Sequence, residues 1–147
     1  MTDDRAVTAR YIEDEIIAVS YVMVAGERED GAVTELTDVL ATVDPQSAAR
    51  QARTASRKET RLRGISYLAA TAPKGARPEL VDAFADLLVD PCSEIRLGAV
   101  VAAAYPSWRE LDPLLERVAT ADPDIHLRDA ATQTLTAIRR HRNGAHR

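Results

Sequence analysis

Two stretches of this 147-residue chain match each other without a gap: DPCSEIRLGAVVAAA from Asp90, and DPDIHLRDAATQTLT from Asp122. The offset of 32 residues aligns a turn aspartate, an apolar residue, an arginine and an alanine: Asp90 with Asp122, Ile95 with Leu127, Arg96 with Arg128, and Ala99 with Ala131. A repeat of this length is typical of stacked supersecondary units, so it predicts that the chain is built from repeated units of this kind.

Each stretch follows a segment whose apolar residues recur with the period of a helix. The first segment has its stripe at Leu80, Phe84, Leu87 and Leu88, and the second at Leu111, Leu114, Leu115 and Val118. Proline suits the start of a helix, and an aspartate before it can accept hydrogen bonds from free N–H groups. Each unit is therefore predicted to be a helix, an Asp-Pro turn and a second helix.

The pattern D-P-x-x-x-[IL]-R-x-x-A resembles the turn and second helix of HEAT repeats, including the short variants of phycobilin-lyase-like proteins. This resemblance implies an all-α fold, a short α-solenoid of HEAT-like hairpins with an N-terminal capping helix. It also implies that the turn aspartates hydrogen-bond in a ladder with arginines of the second helices. On this chain the ladder would consist of Asp90, Arg96, Asp122 and Arg128, with Arg63 as an earlier member.

Residues 1–139 are expected to form a single repeat domain, followed by a flexible tail at 140–147. Within it, 79–104 and 110–139 are the clear repeats. Residues 32–72 form a degenerate repeat, whose first helix carries an apolar stripe from Val33 to Val43. The second helix of this repeat matches Arg96 with Arg63, although Arg57 and Lys58 stand where the Asp-Pro turn should be.

Residues 1–31 are expected to cap the stack, with a helix over Arg5–Ala25. The β-branched residues of that segment leave a strand as the alternative reading: Ile16, Ile17, Val19, Val22 and Val24.

Composition favours a cytoplasmic protein. Cys92 is the only cysteine, which excludes an intramolecular disulfide and suits a reducing compartment. The acidic N-terminus is unlike a secretory signal, and the longest apolar run is about half a membrane span. Abundant alanine and arginine favour a bacterial source with a GC-rich genome.

Arg50, Arg53, Arg57 and Arg61 follow one another at steps of 3, 4 and 4, which predicts that they share one helical face. Together with Lys58, they could bind phosphates or an acidic partner. The alternative is a solvated helix whose charge is neutralised by the chain's own acids, such as Glu35, Asp38 and Asp86. A pI near 5.4 counts against a dedicated nucleic-acid binder.

Stacked hairpins present their second helices along one face, drawn here from residues 58–70, 94–104 and 125–138. The expected contacts on it are Lys58, Arg61, Glu94, Leu97, His126 and Asp129. Trp108, with Tyr105 beside it, lies between the clear repeats, as a binding anchor or as a lid over their interface. His126 and Glu94 occupy equivalent positions of the two clear repeats, but two possible ligands are too few for a metal site. No metal and no cofactor are therefore expected.

The leading hypothesis is a non-catalytic protein-interaction module, an adaptor or a dedicated inhibitor. A nucleic-acid-binding protein that uses the four arginines is the alternative. A HEAT-like lyase or other enzyme is the third reading, and the chain carries no convergent catalytic set to support it. Neither a membrane nor a particular oligomeric state is implied.

Overall fold

The computed structural model describes residues 7–26, 29–39 and 42–145. The chain divides into two compact units, one up to Val43 and one from Asp44 onward. The predicted degenerate repeat of residues 32–72 therefore spans a boundary between units. The first unit holds strands β1 (Thr8–Asp14) and β2 (Val19–Ala25) and helix α1 (Glu29–Val39).

The helix predicted over Arg5–Ala25 is wrong and the alternative of a strand is confirmed, because residues 8–25 form an antiparallel hairpin. Its register pairs Tyr11 with Val22 and Ile12 with Tyr21, which are the aromatic and β-branched pairs that stabilise sheets. At the tip, the Asp14 carboxylate accepts hydrogen bonds from the backbone N–H groups of Ile16 and Ile17. These contacts, rather than a glycine, close the turn.

The second unit is a succession of helical hairpins. The predicted all-α fold is confirmed to the extent that the protein is mostly helical, but the first unit adds a two-stranded sheet. The helices of the second unit are α2 (Pro45–Thr54), α3 (Lys58–Thr71), α4 (Pro78–Leu88), α5 (Ser93–Ala102), α6 (Asp112–Ala121) and α7 (Ile125–Gly144). A 3₁₀ turn at Arg109–Leu111 precedes α6. Helices α3, α5 and α7 are neighbours in one layer, and α2, α4 and α6 are neighbours in the other.

The first hairpin differs from the predicted degenerate repeat. Its first helix is α2 and not the Val33–Val43 stripe, because Asp44 caps α2 by accepting a hydrogen bond from the Ser47 N–H. Gly64 of α3 lies against α2, where an added Cβ would come within 2.6 Å of the Ala52 nitrogen. The hairpin is therefore closed by a glycine at a close helix contact.

The last helix extends through most of the predicted tail, since α7 continues to Gly144. Arg142 donates a hydrogen bond from Nη2 to Asp112 Oδ2 at 2.6 Å, and both side chains are largely buried. This pair attaches the end of α7 to the start of α6. Of the predicted tail, residues 146 and 147 lie outside the described residues.

The core lies between the two helical layers. Its largest fully buried side chains include Phe84, Leu80, Leu87, Ile95, Leu111 and Leu115. Trp108 covers one side of this core and contacts Phe84 edge to face, with ring centroids 6.2 Å apart. The apolar stripes that the sequence predicted for α4 and α6 thus pack against one another and against α5 and α7.

Candidate functional site

The turns between α4 and α5 and between α6 and α7 are built alike. In the first, Asp90 Oδ1 accepts a hydrogen bond from the Cys92 N–H at 2.9 Å. In the second, Asp122 Oδ1 accepts one from the Asp124 N–H, also at 2.9 Å. Each aspartate thereby fixes its own turn and leaves carboxylate capacity for a neighbouring arginine.

Arg96 joins these two turns. Its Nη1 donates to the carbonyl oxygens of Asp90 and Pro91, at 2.8 and 3.2 Å, in its own turn. Its Nε and Nη2 donate to the two oxygens of Asp122, at 2.8 and 3.2 Å, in the next turn. The side chains of Arg96 and Asp122 are only 11% and 4% exposed, so this bidentate pair is buried.

An earlier arginine also joins a backbone carbonyl to a turn aspartate, and it is Arg61 rather than Arg63. Arg61 donates from Nε to the Ala52 carbonyl at 2.8 Å and from Nη2 to Asp90 Oδ2. Arg63, which was predicted for the ladder, is exposed. Arg61 was predicted as a partner contact, but its side chain is 19% exposed and is held by the Asp90 carboxylate.

The last arginine, Arg128, repeats only half of this arrangement. Its Nη1 donates to the carbonyl oxygens of Asp122 and Pro123, at 2.6 and 3.4 Å. We call the set of Arg61, Asp90, Arg96, Asp122 and Arg128 the turn ladder.

The ladder sets the charge state of its two aspartates. Burial alone would raise the pKa of Asp90, but hydrogen bonds from Arg61 and the Cys92 N–H outweigh it, and the pKa lies below its ordinary value. Burial likewise acts to raise the pKa of Asp122, and the hydrogen bonds from Arg96 and the Asp124 N–H again lower it overall. Both carboxylates are therefore ionised at neutral pH.

The four arginines predicted to share one helical face are divided between two helices. Arg50 and Arg53 lie on α2, whereas Arg57 caps α3 and Arg61 lies within it. The chain turns between Ala55 and Arg57, since the N–H of Ala55 closes the end of α2.

Two of these arginines are also neutralised by acids. Arg53 pairs with Asp86 at 2.6 Å, as the alternative reading expected, and Arg61 pairs with Asp90. Arg50 and Arg57 are exposed and form no ion pair with a described residue. A continuous basic stripe is therefore absent from this part of the described surface.

The layer of α3, α5 and α7 carries most of the remaining predicted contacts. Lys58 of α3 and Glu94 of α5 pair with each other at 2.7 Å, and this hydrogen bond raises the pKa of Lys58. Leu97, on the middle helix, is 43% exposed. His126 and Asp129 of α7 are exposed as well. We call this surface the α3–α5–α7 face.

Trp108 is not a surface anchor. It is 4% exposed, and its indole N–H donates to the Pro73 carbonyl at 3.0 Å. Its role is that of a lid over the core, the other reading of the sequence. Tyr105 is half-buried in the turn after α5, where its N–H donates to the Ala102 carbonyl.

A groove of about 340 Å³ lies between α4 and α6, and no pattern in the sequence indicates it. Its lining includes Leu88, Val89, Leu114 and Val118, with Arg96 and Asp122 of the ladder among its polar groups. It forms because the ends of two helices and two turns meet, which no local motif encodes.

Among the described residues, no group of three or more His, Cys, Asp or Glu side chains could hold a metal ion. No helix in the described ranges has both the length and the hydropathy needed to cross a membrane. Comparison with protein-family models, curated proteins and solved structures gives no match for this chain.

Proposed function

We propose that residues 44–145 form a short α-solenoid of HEAT-like hairpins that acts as a non-catalytic protein-interaction module, an adaptor or a dedicated inhibitor. The partner binds on the α3–α5–α7 face. Three features support this proposal: the repeated hairpins, the shared layer of second helices, and the turn ladder that holds successive hairpins in register.

The observation that carries the proposal is Leu97. A leucine that is 43% exposed occupies the middle helix of the layer, with the Lys58–Glu94 ion pair on the same face. An apolar centre with a polar and charged rim is the usual anatomy of a protein-binding patch. The neighbouring Gly98 faces α3 instead, where an added Cβ would lie 3.3 Å from the Leu62 side chain.

Nucleic-acid binding through the arginines has less support from the geometry. A phosphate backbone is held by several unpaired cations along a track. Here Arg53 and Arg61 are already engaged by Asp86 and Asp90, which leaves Arg50 and Arg57.

The test is affinity capture with the full chain from a native lysate, divided so that one half is treated with nuclease. We expect a discrete protein to be retained in both halves. The Leu97→Glu variant should lose this protein by roughly tenfold or more, because a charge would be buried at the centre of the interface. Circular dichroism checks that the variant is folded.

Val89→Glu is the matched control, since Val89 is 64% exposed but lies in the turn between α4 and α5. It should retain the partner. Equal loss in both variants, or recovery that disappears with nuclease, contradicts the proposed face.

A further inference from the structure

The turn ladder has three arginines but only two carboxylates. Arg96 binds a carbonyl of its own turn and the Asp122 carboxylate of the next turn. Arg61 binds the Ala52 carbonyl of α2 and the Asp90 carboxylate of the next turn. Arg128 contacts the carbonyls of Asp122 and Pro123 in its own turn, but no carboxylate among the described residues pairs with it. Among the described residues, neither Nε nor Nη2 of Arg128 has a hydrogen-bond partner.

Arg128 is also preorganised for a ligand. Its Nη1 is fixed by the Asp122 carbonyl at 2.6 Å, so the guanidinium plane is held without help from a carboxylate. The side chain is half-buried, which reduces the competition from water at its open edge. In Arg96 the same two nitrogens donate hydrogen bonds to the two oxygens of one carboxylate. Since Nε and Nη2 of Arg128 have no partner among the described residues, its guanidinium can donate to both oxygens of a carboxylate in the same way.

We infer that Arg128 is a receptor for the carboxylate of an aspartate or glutamate in an acidic segment of a protein partner, which completes the third step of the ladder. The first hairpin of another copy of this chain does not offer such a carboxylate from its turn. That turn runs through Ala55, Ser56 and Arg57, where the other turns carry aspartate. That the carboxylate belongs to a protein partner rests on the proposed function.

Stacking of a further repeat is disfavoured by the polar residues exposed beside Arg128. Thr132 and Thr136 are exposed on α7, and Glu116 of α6 pairs with Arg139. A solenoid ends at a repeat with a polar outer face. An acidic segment suits this surface better than an apolar helix does.

The experiment follows the arginine Nε–Hε signals of the full chain by NMR at low ionic strength. The probes are the capped peptide acetyl-Asp-Pro-Asp-amide and its isosteric counterpart acetyl-Asn-Pro-Asn-amide. We expect the Arg128 signal to shift saturably with the first peptide and not with the second. Arg140 is the internal control, because it is exposed on the same helix and has no hydrogen-bond partner among the described residues. Its signal should move little.

Arg128→Lys retains the charge but lacks the two-point donor edge. It should bind the aspartate peptide roughly tenfold more weakly. Equal affinity of this variant, or equal shifts at Arg128 and Arg140, would overturn the inference by showing charge attraction alone. Inorganic phosphate is titrated in parallel, and tighter binding of phosphate than of the peptide would also overturn the assignment to a carboxylate.

The outcomes also separate this inference from the proposed function. If the peptide binds at Arg128 while Leu97→Glu retains its partner, the proposed face is wrong and the carboxylate receptor stands. If Leu97→Glu loses the partner and the peptide fails to shift Arg128, the receptor is wrong and the face stands.

Discussion

The first and second hairpins are joined by ion pairs of two kinds, and their surroundings differ sharply. Arg61 and Asp90, in the ladder, have side chains that are 19% and 12% exposed. Arg53 and Asp86, between α2 and α4, are 44% and 57% exposed. Lys58 and Glu94, between α3 and α5, are exposed to nearly the same extent as the Arg53 pair.

This difference decides what each pair can contribute. An exposed ion pair is screened by water and salt, and its two side chains lose entropy when they are fixed. A buried pair is costly to desolvate, but once formed it is costly to break, because either partner alone is a buried charge. We therefore expect the buried ladder to hold successive hairpins in register, whereas the exposed pairs should contribute little to the free energy of unfolding.

The largest effect is expected from Arg96→Met, which leaves the Asp122 carboxylate buried and two turn carbonyls without a donor. We expect the free energy of unfolding to fall by about 3 kcal/mol. This corresponds to a decrease in Tm of roughly 10 °C or more for a unit of this size. Chemical denaturation followed by circular dichroism measures it.

Arg128→Met is the matched control for Arg96→Met. It removes the same side chain from the equivalent position, but no carboxylate is left unpaired. The free energy of unfolding should therefore fall by only about 1 kcal/mol. Adding Asp122→Asn to Arg96→Met should restore part of the loss, because the uncompensated charge is removed. Equal losses for Arg96→Met and Arg128→Met would mean that the carboxylate contact does not distinguish the two positions.

A second, smaller effect concerns pH. The pKa of Asp90 and the pKa of Asp122 are lower in the folded chain than the ordinary value of about 3.9 that the unfolded chain has. Their contribution is present above that ordinary value and is lost as the pH falls through the folded pKa values. The wild type should lose stability steeply below about pH 4.

Asp122→Asn should be less stable at pH 7 and show a shallower loss below pH 4. Urea denaturation at several pH values and constant ionic strength measures both slopes. A variant whose slope matches that of the wild type would show that this carboxylate does not contribute to acid sensitivity.

Local patterns were sufficient to predict the hairpins between residues 79 and 139. Apolar periodicity and the Asp-Pro turns act within a few residues of each other, so they can be read directly from the chain. The N-terminal hairpin could not be read in this way. Its stability comes from pairing across strands, and its turn places Ala18 at a φ of 52°, where glycine is usual.

Two features of the candidate site depend on contacts between distant segments, which local patterns do not encode. The repeat alignment favours Arg63 over Arg61 where the α2–α3 turn lacks the Asp-Pro marker, and this part of the prediction is wrong. The close approach of α3 to α2 at Gly64 has no such marker either. For Trp108 the sequence leaves the anchor and the lid open, because nothing local indicates that the Pro73 carbonyl lies 3.0 Å from its indole nitrogen.

The smallest change in Tm is expected when an exposed ion pair is removed. This change is the sharpest test of the comparison between buried and exposed pairs. Arg53→Gln and Glu94→Gln should each leave Tm within about 2 °C of the wild type, because exposed pairs contribute little net stability. Differential scanning calorimetry at low and at high salt measures this. Since salt screens the exposed pairs in the wild type as well, the small differences should shrink further at high salt. A decrease comparable to that of Arg96→Met would show that the exposed pairs also hold the hairpins together, and burial would no longer separate the two kinds of contact.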